Sequence, residues 1–228
     1  MYKMNLREFE EKIGYKFKKI ELIKTAFTHT SYAHENKIES NEKLEFLGDA
    51  ILEFTVSDYL YKNYKNLKEG EMTKVRATVV CEQSLHQVAL KYKFNELLYL
   101  GKSEKLSGGS KKPAILADSV EAVIAAIYID AGIEEAQKFI IENLKQSIEQ
   151  ASKNVGKKDY KTVLQEELQK HGSVKIEYII IKEEGPDHDK TFVAEVKCDE
   201  KYLATGRGNT KKQAEMEAAR QALEIRKI

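Results

Sequence analysis

The sequence has no hydrophobic run long enough to cross a membrane. None of its windows holds the roughly 18 consecutive apolar residues of a transmembrane helix. The opening stretch MYKMNLREFEEK also carries too many charges for the apolar region of a secretory signal. We therefore expect a cytoplasmic protein without a membrane partner.

The sequence also contains few cysteines and has a small net charge. Cys81 and Cys198 lie far apart and in no metal-ligand spacing, which excludes a recognisable zinc motif and favours free thiols in a reducing compartment. Because 38 Lys and Arg residues stand against 37 Asp and Glu residues, the formal net charge is only +1. A polyanionic partner would therefore have to be bound by local charge patterns.

The length of 228 residues allows two ordinary domains, each with its own core. Apolar residues recur at helical spacing almost throughout the first two thirds of the chain, which predicts an all-helical domain over residues 1–150. The pattern then gives way to small, polar and basic residues. We interpret residues 151–158 as a flexible linker.

Residues 159–228 have the pattern of a second, mixed domain. An amphipathic helical segment is followed by three runs with strand character and by a final helical segment. This α-β-β-β-α order predicts two helices packed on one face of an antiparallel sheet. The expected fold class is therefore multidomain, with an all-α domain followed by an α+β domain.

The segment NEKLEFLGDAILEF, at residues 41–54, carries four carboxylates on Glu42, Glu45, Asp49 and Glu53. At about 100° per residue they fall within one arc of a helix and form a single acidic stripe. A solvated helix face is the ordinary explanation of such a stripe. The rest of this helix is apolar nearly all round, however, which is typical of a helix that is buried or lies at an interface.

A second apolar helix carries two further carboxylates. In AILADSVEAVIAAIYI the only charged residues are Asp118 and Glu121, which lie three apart and hence on one face. Such carboxylates are costly unless a cation or a donor compensates them. If the two helices pack together, these acids meet Glu45 and Asp49, and their repulsion raises their pKa values or recruits a metal ion. Without Cys or well-spaced His ligands, the site favours Mg²⁺ or Mn²⁺ over zinc.

Two other groups of polar residues have simpler explanations. The segment LKEGEMTKVRA places Glu69 and Glu71 at the start of a helix, where the helix dipole favours acids in any case. His29 and His34 in THTSYAH show no partner spacing for metal binding. We interpret them as core or capping histidines.

Taken together, four segments resemble the ribonuclease III family. NEKLEFLGDAILE is similar to its signature segment, and AFTHTSYAHE, EGEMTKVRA and ILADSVEAVIAAIY are similar to its other blocks, in the expected order. The α-β-β-β-α segment resembles the double-stranded RNA-binding domain that follows the catalytic domain in bacterial members. The resemblance spans nearly the whole chain. It implies a Mg²⁺-dependent hydrolase, an endoribonuclease specific for double-stranded RNA.

The resemblance also implies roles for the acids. By position, the metal-binding acids would be Glu45, Asp118 and Glu121. Asp49 would complete the catalytic cluster with Glu121. Two supporting acids, Glu42 and Glu69, would assist RNA or metal-bound water. Glu53 has no counterpart in the family's pattern, and we interpret it as structural or solvated.

A homodimer is a further implication of the resemblance. Two symmetric active sites would cut opposite strands and leave 5′-phosphate ends, 3′-hydroxyl ends and two-nucleotide 3′ overhangs. Phe46, on the acidic side of its helix, suits a subunit interface, although packing within its own domain is also compatible with the pattern. The implied substrates are ribosomal RNA precursors and some messenger and transfer RNA precursors.

A lysine pair marks the final helix. RGNTKKQAEMEAAR predicts a helix that begins near Asn209 or Thr210, with Lys211 and Lys212 in its first turn. Lysines there oppose the helix dipole, a penalty that is offset if both ammonium groups face phosphates. A solvated lysine pair is the alternative.

Further RNA contacts follow from the resemblance. The first helix of the second domain would present Thr162 and Gln165 to one minor groove, and the loop EEGPDHDK would bring His188 to another. Because A-form RNA exposes its 2′-hydroxyls in a shallow minor groove, recognition should follow duplex shape over about 16 base pairs.

Two other functions fit parts of the sequence. A duplex-binding protein without catalysis would carry a neutralised residue among the four central acids, all of which are intact. A metal-dependent hydrolase of small phosphoesters would leave the second domain unexplained.

Overall fold

The computed structural model describes residues 5–155, 160–170, 173–186 and 190–225. The chain divides into two compact units, Met1–Val155 and Gly156–Ile228. Each unit has its own hydrophobic core. The predicted fold classes are confirmed, since α-helices supply most of the first core and an α-β-β-β-α segment builds the second. None of the helices in the described residues is long and apolar enough to span a bilayer.

Nine α-helices form the described part of the first unit. They are α1 (Leu6–Ile13), α2 (Ile20–Ala26), α3 (Thr30–Asn36), α4 (Glu42–Asn63), α5 (Glu69–Val79), α6 (Glu82–Lys91), α7 (Lys102–Leu106), α8 (Pro113–Ala131) and α9 (Ile133–Asn154). Short 3₁₀ turns at Phe94–Glu96 and Gly109–Lys111 lie before and after α7.

The long helices α4 and α8 cross at the centre of this unit. α8 is apolar on nearly all sides, and residues such as Val123, Ala125 and Ala126 are completely buried. At the crossing a Cβ built on Gly48 would lie 1.8 Å from the carbonyl oxygen of Glu121. Only glycine permits this backbone approach, so the two helices meet where their acids lie.

Helix α9 ends four residues beyond the expected boundary of the domain. It continues to Asn154, which corrects the predicted start of the linker at residue 151. Ala151 and Val155 pack against the core, and alanine is the residue that most favours a helix. This packing therefore keeps the last turn helical despite its polar composition. Residues 156–159 lie outside the described residues.

The second unit contains α10 (Tyr160–Gln169), β1 (Ile176–Glu184), β2 (Thr191–Cys198), β3 (Lys201–Gly208) and α11 (Lys211–Ile225). The strands form an antiparallel sheet in the order β1-β2-β3. Leu164 and Leu168 of α10 share one core with Ala218 of α11 and Ala194 of β2. Both helices therefore cover the same face of the sheet, as predicted.

A β-bulge interrupts β1 between Ile180 and Lys182. Side chains alternate between the two faces of a strand, so one extra residue moves the following side chains to the opposite face. Beyond the bulge Glu183 pairs with Phe192, whose ring packs against the core. Glu183 consequently lies on the helix side of the sheet, and Glu184 lies on the outer side.

Candidate functional site

Three carboxylates from α4 and α8 meet at the helix crossing. One oxygen from each of Glu45, Asp118 and Glu121 lies within 4.8 Å of the other two. All three side chains are partly buried. Asp118 and Glu121 lie one turn apart on α8, as their spacing predicts, and α4 supplies Glu45 from the facing side. Such a set of oxygens could surround one divalent cation.

Crowding and burial raise the pKa values of this cluster. The pKa of Glu121 rises to about 8, chiefly because the carboxyl is buried and next because Asp49 repels its charge. Burial is also the main cause of the raised pKa values of Glu45 and Asp118. Repulsion among these acids therefore exceeds any compensation from nearby positive charge in the described residues, and a divalent cation would supply that charge.

The other two predicted acids of the stripe flank the cluster. Asp49 is exposed, and its charge raises the pKa values of both Glu121 and Glu45. Glu42 is also exposed, and it accepts a hydrogen bond of 2.9 Å from the Ser40 hydroxyl. Both carboxylates lie at the solvent-exposed edge of the acidic cluster, called the rim below, where water or a nucleic acid could reach them.

The fourth acid of the stripe, Glu53, makes an interhelical ion pair. Its Oε2 lies 2.9 Å from Arg76 Nε, and Arg76 Nη1 donates a 2.9 Å hydrogen bond to Ser57 Oγ. The guanidinium thus joins α5 to α4. This contact supports the structural interpretation of Glu53.

Glu69 lies apart from the cluster. It accepts a 3.1 Å hydrogen bond from Thr73 Oγ1 and lines a cleft with Tyr61 and Arg76. Tyr61 is sixteen residues along α4 from Glu45, which corresponds to about 24 Å at 1.5 Å per residue. Within one chain, Glu69 is not brought to the other predicted acids.

Two further residues act on the pKa of Asp118, and the sequence predicted neither interaction. Glu82, at the start of α6, raises the pKa of Asp118 by repulsion, whereas His29 lowers it. His29 caps α3, because its Nδ1 accepts a 3.2 Å hydrogen bond from the Ser31 backbone N–H. The interpretation of His29 as a capping residue is confirmed. An acid in a first helical turn is common, so Glu82 offered no signal of its own.

An apolar surface lies next to the acidic stripe on α4. The side chain of Phe46 is 81% exposed and that of Phe54 is 56% exposed. Phe46 therefore does not pack within its own domain. An apolar cleft of about 520 Å³ adjoins this surface, and its lining consists of Leu47, Ala50, Ile51, Phe54, Tyr128, Gly132 and Ile133.

In the second unit α11 begins where its sequence predicts. Thr210 is the N-cap, since its Oγ1 accepts a 3.2 Å hydrogen bond from the Gln213 backbone N–H. Lys211 and Lys212 therefore occupy the first turn. Lys211 Nζ lies 2.8 Å from Glu183 Oε1.

Three of the predicted RNA-binding residues line one cleft. Thr162, Gln165 and Lys212 lie around a space of about 710 Å³ between α10, α11 and β1. Two helices thus bring polar and basic groups to a shared surface, which suits contact with a long polyanion. His188 lies outside the described residues.

Comparison with known proteins agrees with this arrangement. Residues 19–148 match the family described as Ribonuclease-III-like, and residues 160–225 match the Double-stranded RNA binding motif. The chain is 46% identical over 222 residues to Ribonuclease 3 of Clostridium tetani, which covers 97% of this chain and 94% of that protein. It is 47% identical over 224 residues to Ribonuclease 3 of Oceanobacillus iheyensis, with 97% and 98% covered.

A solved structure supports the same relationship. It is the nuclease domain of ribonuclease III from Campylobacter jejuni, described for structural flexibility in a region involved in dimer formation. The match has a TM-score of 0.60 and 35% identity, and it covers 63% of this chain and 98% of that one. From its two domains, its acidic cluster and these relatives, we conclude that the chain belongs to the ribonuclease III family of double-stranded RNA-specific endoribonucleases.

Proposed function

We propose that this endoribonuclease is a homodimer that uses Mg²⁺ to hydrolyse phosphodiester bonds in double-stranded RNA. The products would carry 5′-phosphate and 3′-hydroxyl ends with two-nucleotide 3′ overhangs. The observation that carries the proposal is the convergence of Glu45, Asp118 and Glu121 within 4.8 Å. A set of carboxylate oxygens alone suits Mg²⁺, and Mn²⁺ should be able to replace it.

The four central acids have different roles in hydrolysis. Glu45, Asp118 and Glu121 would hold the divalent cation. When bound, such an ion would supply positive charge to offset the phosphoryl group and would make water more acidic. Glu121, with its pKa raised to about 8, must release its proton before it can act as a ligand. Asp49 lies beside it at the exposed rim, where its carboxylate can orient water toward the scissile phosphate.

The supporting acids act from two places. Glu42 lies at the rim of the cluster, where it can contact RNA or water bound in the site. Glu69, the first residue of α5, lies beside the C-terminal end of α4, far from Glu45. Any assistance from Glu69 must therefore reach a different part of the bound duplex or the site of a second chain.

The apolar surface of α4 supports the homodimer. In a two-fold dimer the same patch is used by both subunits and must be complementary to itself. An exposed Phe46 beside an apolar cleft meets this requirement, because the ring of each subunit can enter the cleft of its partner. Burial of both rings would remove a large apolar area from water.

The second domain would hold the duplex by its shape. Thr162 and Gln165 would contact one minor groove and His188 another, while Lys211 and Lys212 would contact the phosphates between them. We further propose a cytoplasmic role in processing ribosomal RNA precursors and some messenger and transfer RNA precursors.

Cleavage of a long RNA duplex tests the proposal directly. Wild-type protein should cut it with Mg²⁺ but not with EDTA, and Glu121→Gln should bind it without cutting. Asp58→Asn is the control, because Asp58 lies on the same helix as Glu45 but pairs with Lys62 at 2.8 Å. End-mapping should find 5′-phosphates and two-nucleotide 3′ overhangs. If wild type shifts the duplex on a gel yet never cuts it, the protein is a non-catalytic binder.

A further inference from the structure

One of the two lysines at the start of α11 is already engaged by an acid. Besides its 2.8 Å contact with Glu183 Oε1, Lys211 Nζ lies 5.6 Å from the centroid of the Phe192 ring. The side chains of Lys211 and Glu183 remain 60% and 43% exposed, respectively. Lys211 lowers the pKa of Glu183, first through their hydrogen bond. The pair therefore lies at the surface, within reach of a ligand.

The bulge in β1 creates this contact. Regular alternation from Ile180 would place Glu183 on the outer face of the sheet, away from α11. The bulge reverses the alternation and turns Glu183 toward the first turn of α11. Its neighbour Glu184 points to the outer face and pairs with Lys182 instead. Two adjacent glutamates of the same charge thus face opposite sides of the domain.

We propose that Glu183 competes with RNA phosphate for Lys211 and thereby limits the affinity of the domain for duplex RNA. The proposal rests on the proposed phosphate contact of Lys211. A carboxylate and a phosphate both attract the same ammonium group and repel each other. When RNA binds, Lys211 must leave Glu183 or share its donors between the two anions. Lys190 also lowers the pKa of Glu183 by its charge, so the released carboxylate keeps one cation nearby.

This competition has a specific effect on salt dependence. A lysine that binds phosphate displaces about 0.9 condensed counterion from a B-form DNA duplex, and a similar release is expected from an RNA duplex. In the wild type the carboxylate that Lys211 leaves behind takes up part of a cation from solution, which offsets some of that release. With Gln at position 183 no such uptake occurs. The plot of log affinity against log salt should therefore be steeper in Glu183→Gln than in the wild type.

The experiment measures binding of the full chain to a labelled duplex of about 20 base pairs, slightly longer than the domain's expected footprint. All proteins carry Glu121→Gln and are kept in EDTA, so that no RNA is cut. Affinity is measured from about 50 to 200 mM salt. The variants are Glu183→Gln, Glu184→Gln and Lys211→Gln, and the double variant Glu183→Gln/Lys211→Gln completes the cycle.

We expect Glu183→Gln to bind about two- to fivefold more tightly, as for one exposed ion pair, with a salt slope steeper by up to about 0.9. Glu184→Gln should change affinity less and leave the slope unaltered. In protein that already carries Lys211→Gln, the further substitution Glu183→Gln should neither tighten binding nor steepen the salt slope. Equal gains in Glu183→Gln and Glu184→Gln would overturn the proposal, since net charge alone would explain them. Weaker binding of Glu183→Gln would also overturn it.

The same data separate failure of the competition from failure of the RNA contact. If Lys211→Gln binds with unaltered affinity and slope, Lys211 does not contact phosphate and the proposed role of this lysine is wrong. If Lys211→Gln weakens binding while Glu183→Gln has no effect, only the competition is wrong. Circular dichroism melts of each variant establish that the second domain is folded.

Discussion

Gly48 of α4 and Glu121 of α8 are in backbone contact, with 1.8 Å between the carbonyl oxygen of Glu121 and the position of a Cβ on Gly48. This approach lets carboxylates from the two helices share one cation site. A side chain at Gly48 must therefore separate the helices and, with them, Glu45 from Glu121.

Gly48→Ala should destabilise the protein and abolish Mg²⁺-dependent cleavage. Overpacking of a core costs about 1–3 kcal/mol, occasionally more, and the obstacle here is backbone that cannot rotate aside. Gly70→Ala is the control, because nothing lies within 4 Å of a Cβ on Gly70 in α5. Thermal melts and cleavage assays should show loss in the first variant and none in the second. Equal melting temperatures and rates for Gly48→Ala and wild type would contradict this account.

Metal-free protein should lose stability as pH rises from ~5 to ~8. The pKa of Glu121 is raised from its ordinary 4.5 to about 8 in the folded protein. The native state therefore binds more protons than the unfolded state across this window, and stability falls as pH increases.

Urea unfolding in EDTA at several pH values measures this slope. Glu121→Gln should flatten it but leave a remainder, because the pKa values of Glu45 and Asp118 are raised too. Saturating Mg²⁺ should stabilise wild type most at the high end of the range. A slope in Glu121→Gln equal to that of wild type would show that Glu121 does not titrate as described.

Phe46→Ala should weaken the dimer. Truncating a buried aromatic anchor at an interface typically costs about 2 kcal/mol or more, or roughly 30-fold in the dissociation constant. Leu106→Ala is the control, because Leu106 is 90% exposed on α7 and does not line the apolar cleft next to α4. Sedimentation over a range of concentrations should show that the Phe46→Ala dimer dissociates at higher protein concentrations than the dimers of wild type and Leu106→Ala. A dimer as tight as that of wild type would exclude Phe46 from the interface.

Lys212→Gln should weaken binding of any RNA duplex, irrespective of its sequence. Loss of one phosphate contact should reduce the salt slope by about 0.9, because phosphate contacts carry no sequence information. Lys201→Gln provides a control with the same charge change at an exposed site on β3. Competition assays with two duplexes of different sequence should show equal losses. A loss confined to one sequence would instead indicate a contact with bases.

The central acids could be found in the sequence because the relevant distances are short along each helix. Spacings of three and four residues place Glu45 with Asp49 and Asp118 with Glu121 whatever the rest of the fold is. The meeting of α4 and α8 was a further step, which the apolar surroundings of the acids made reasonable. In each case the free-energy cost of burying an uncompensated carboxylate indicated that a compensating group lies nearby.

Other contacts depend on geometry that no local pattern encodes. Glu82 reaches Asp118 only because α6 packs against α8. Glu183 reaches Lys211 only because a bulge reverses the alternation of β1. The last turn of α9 was missed because its packing against the core, through Ala151, outweighs a polar composition. Helix packing decides the first and third contacts and strand pairing decides the second, and none of these can be predicted from composition.

Glu45 and Phe46 are consecutive residues of α4, and successive residues of a helix point about 100° apart. One points to the acids of α8 and the other to the apolar outer surface, so the same backbone rotation sets both directions. A one-residue insertion between Phe46 and Gly48 would turn the upstream part of the helix, which includes both residues, by this angle relative to the crossing. The Glu45 carboxylate would then move away from the acids of α8, and the Phe46 ring would move away from the outer surface. This part of α4 should therefore not tolerate a change of length.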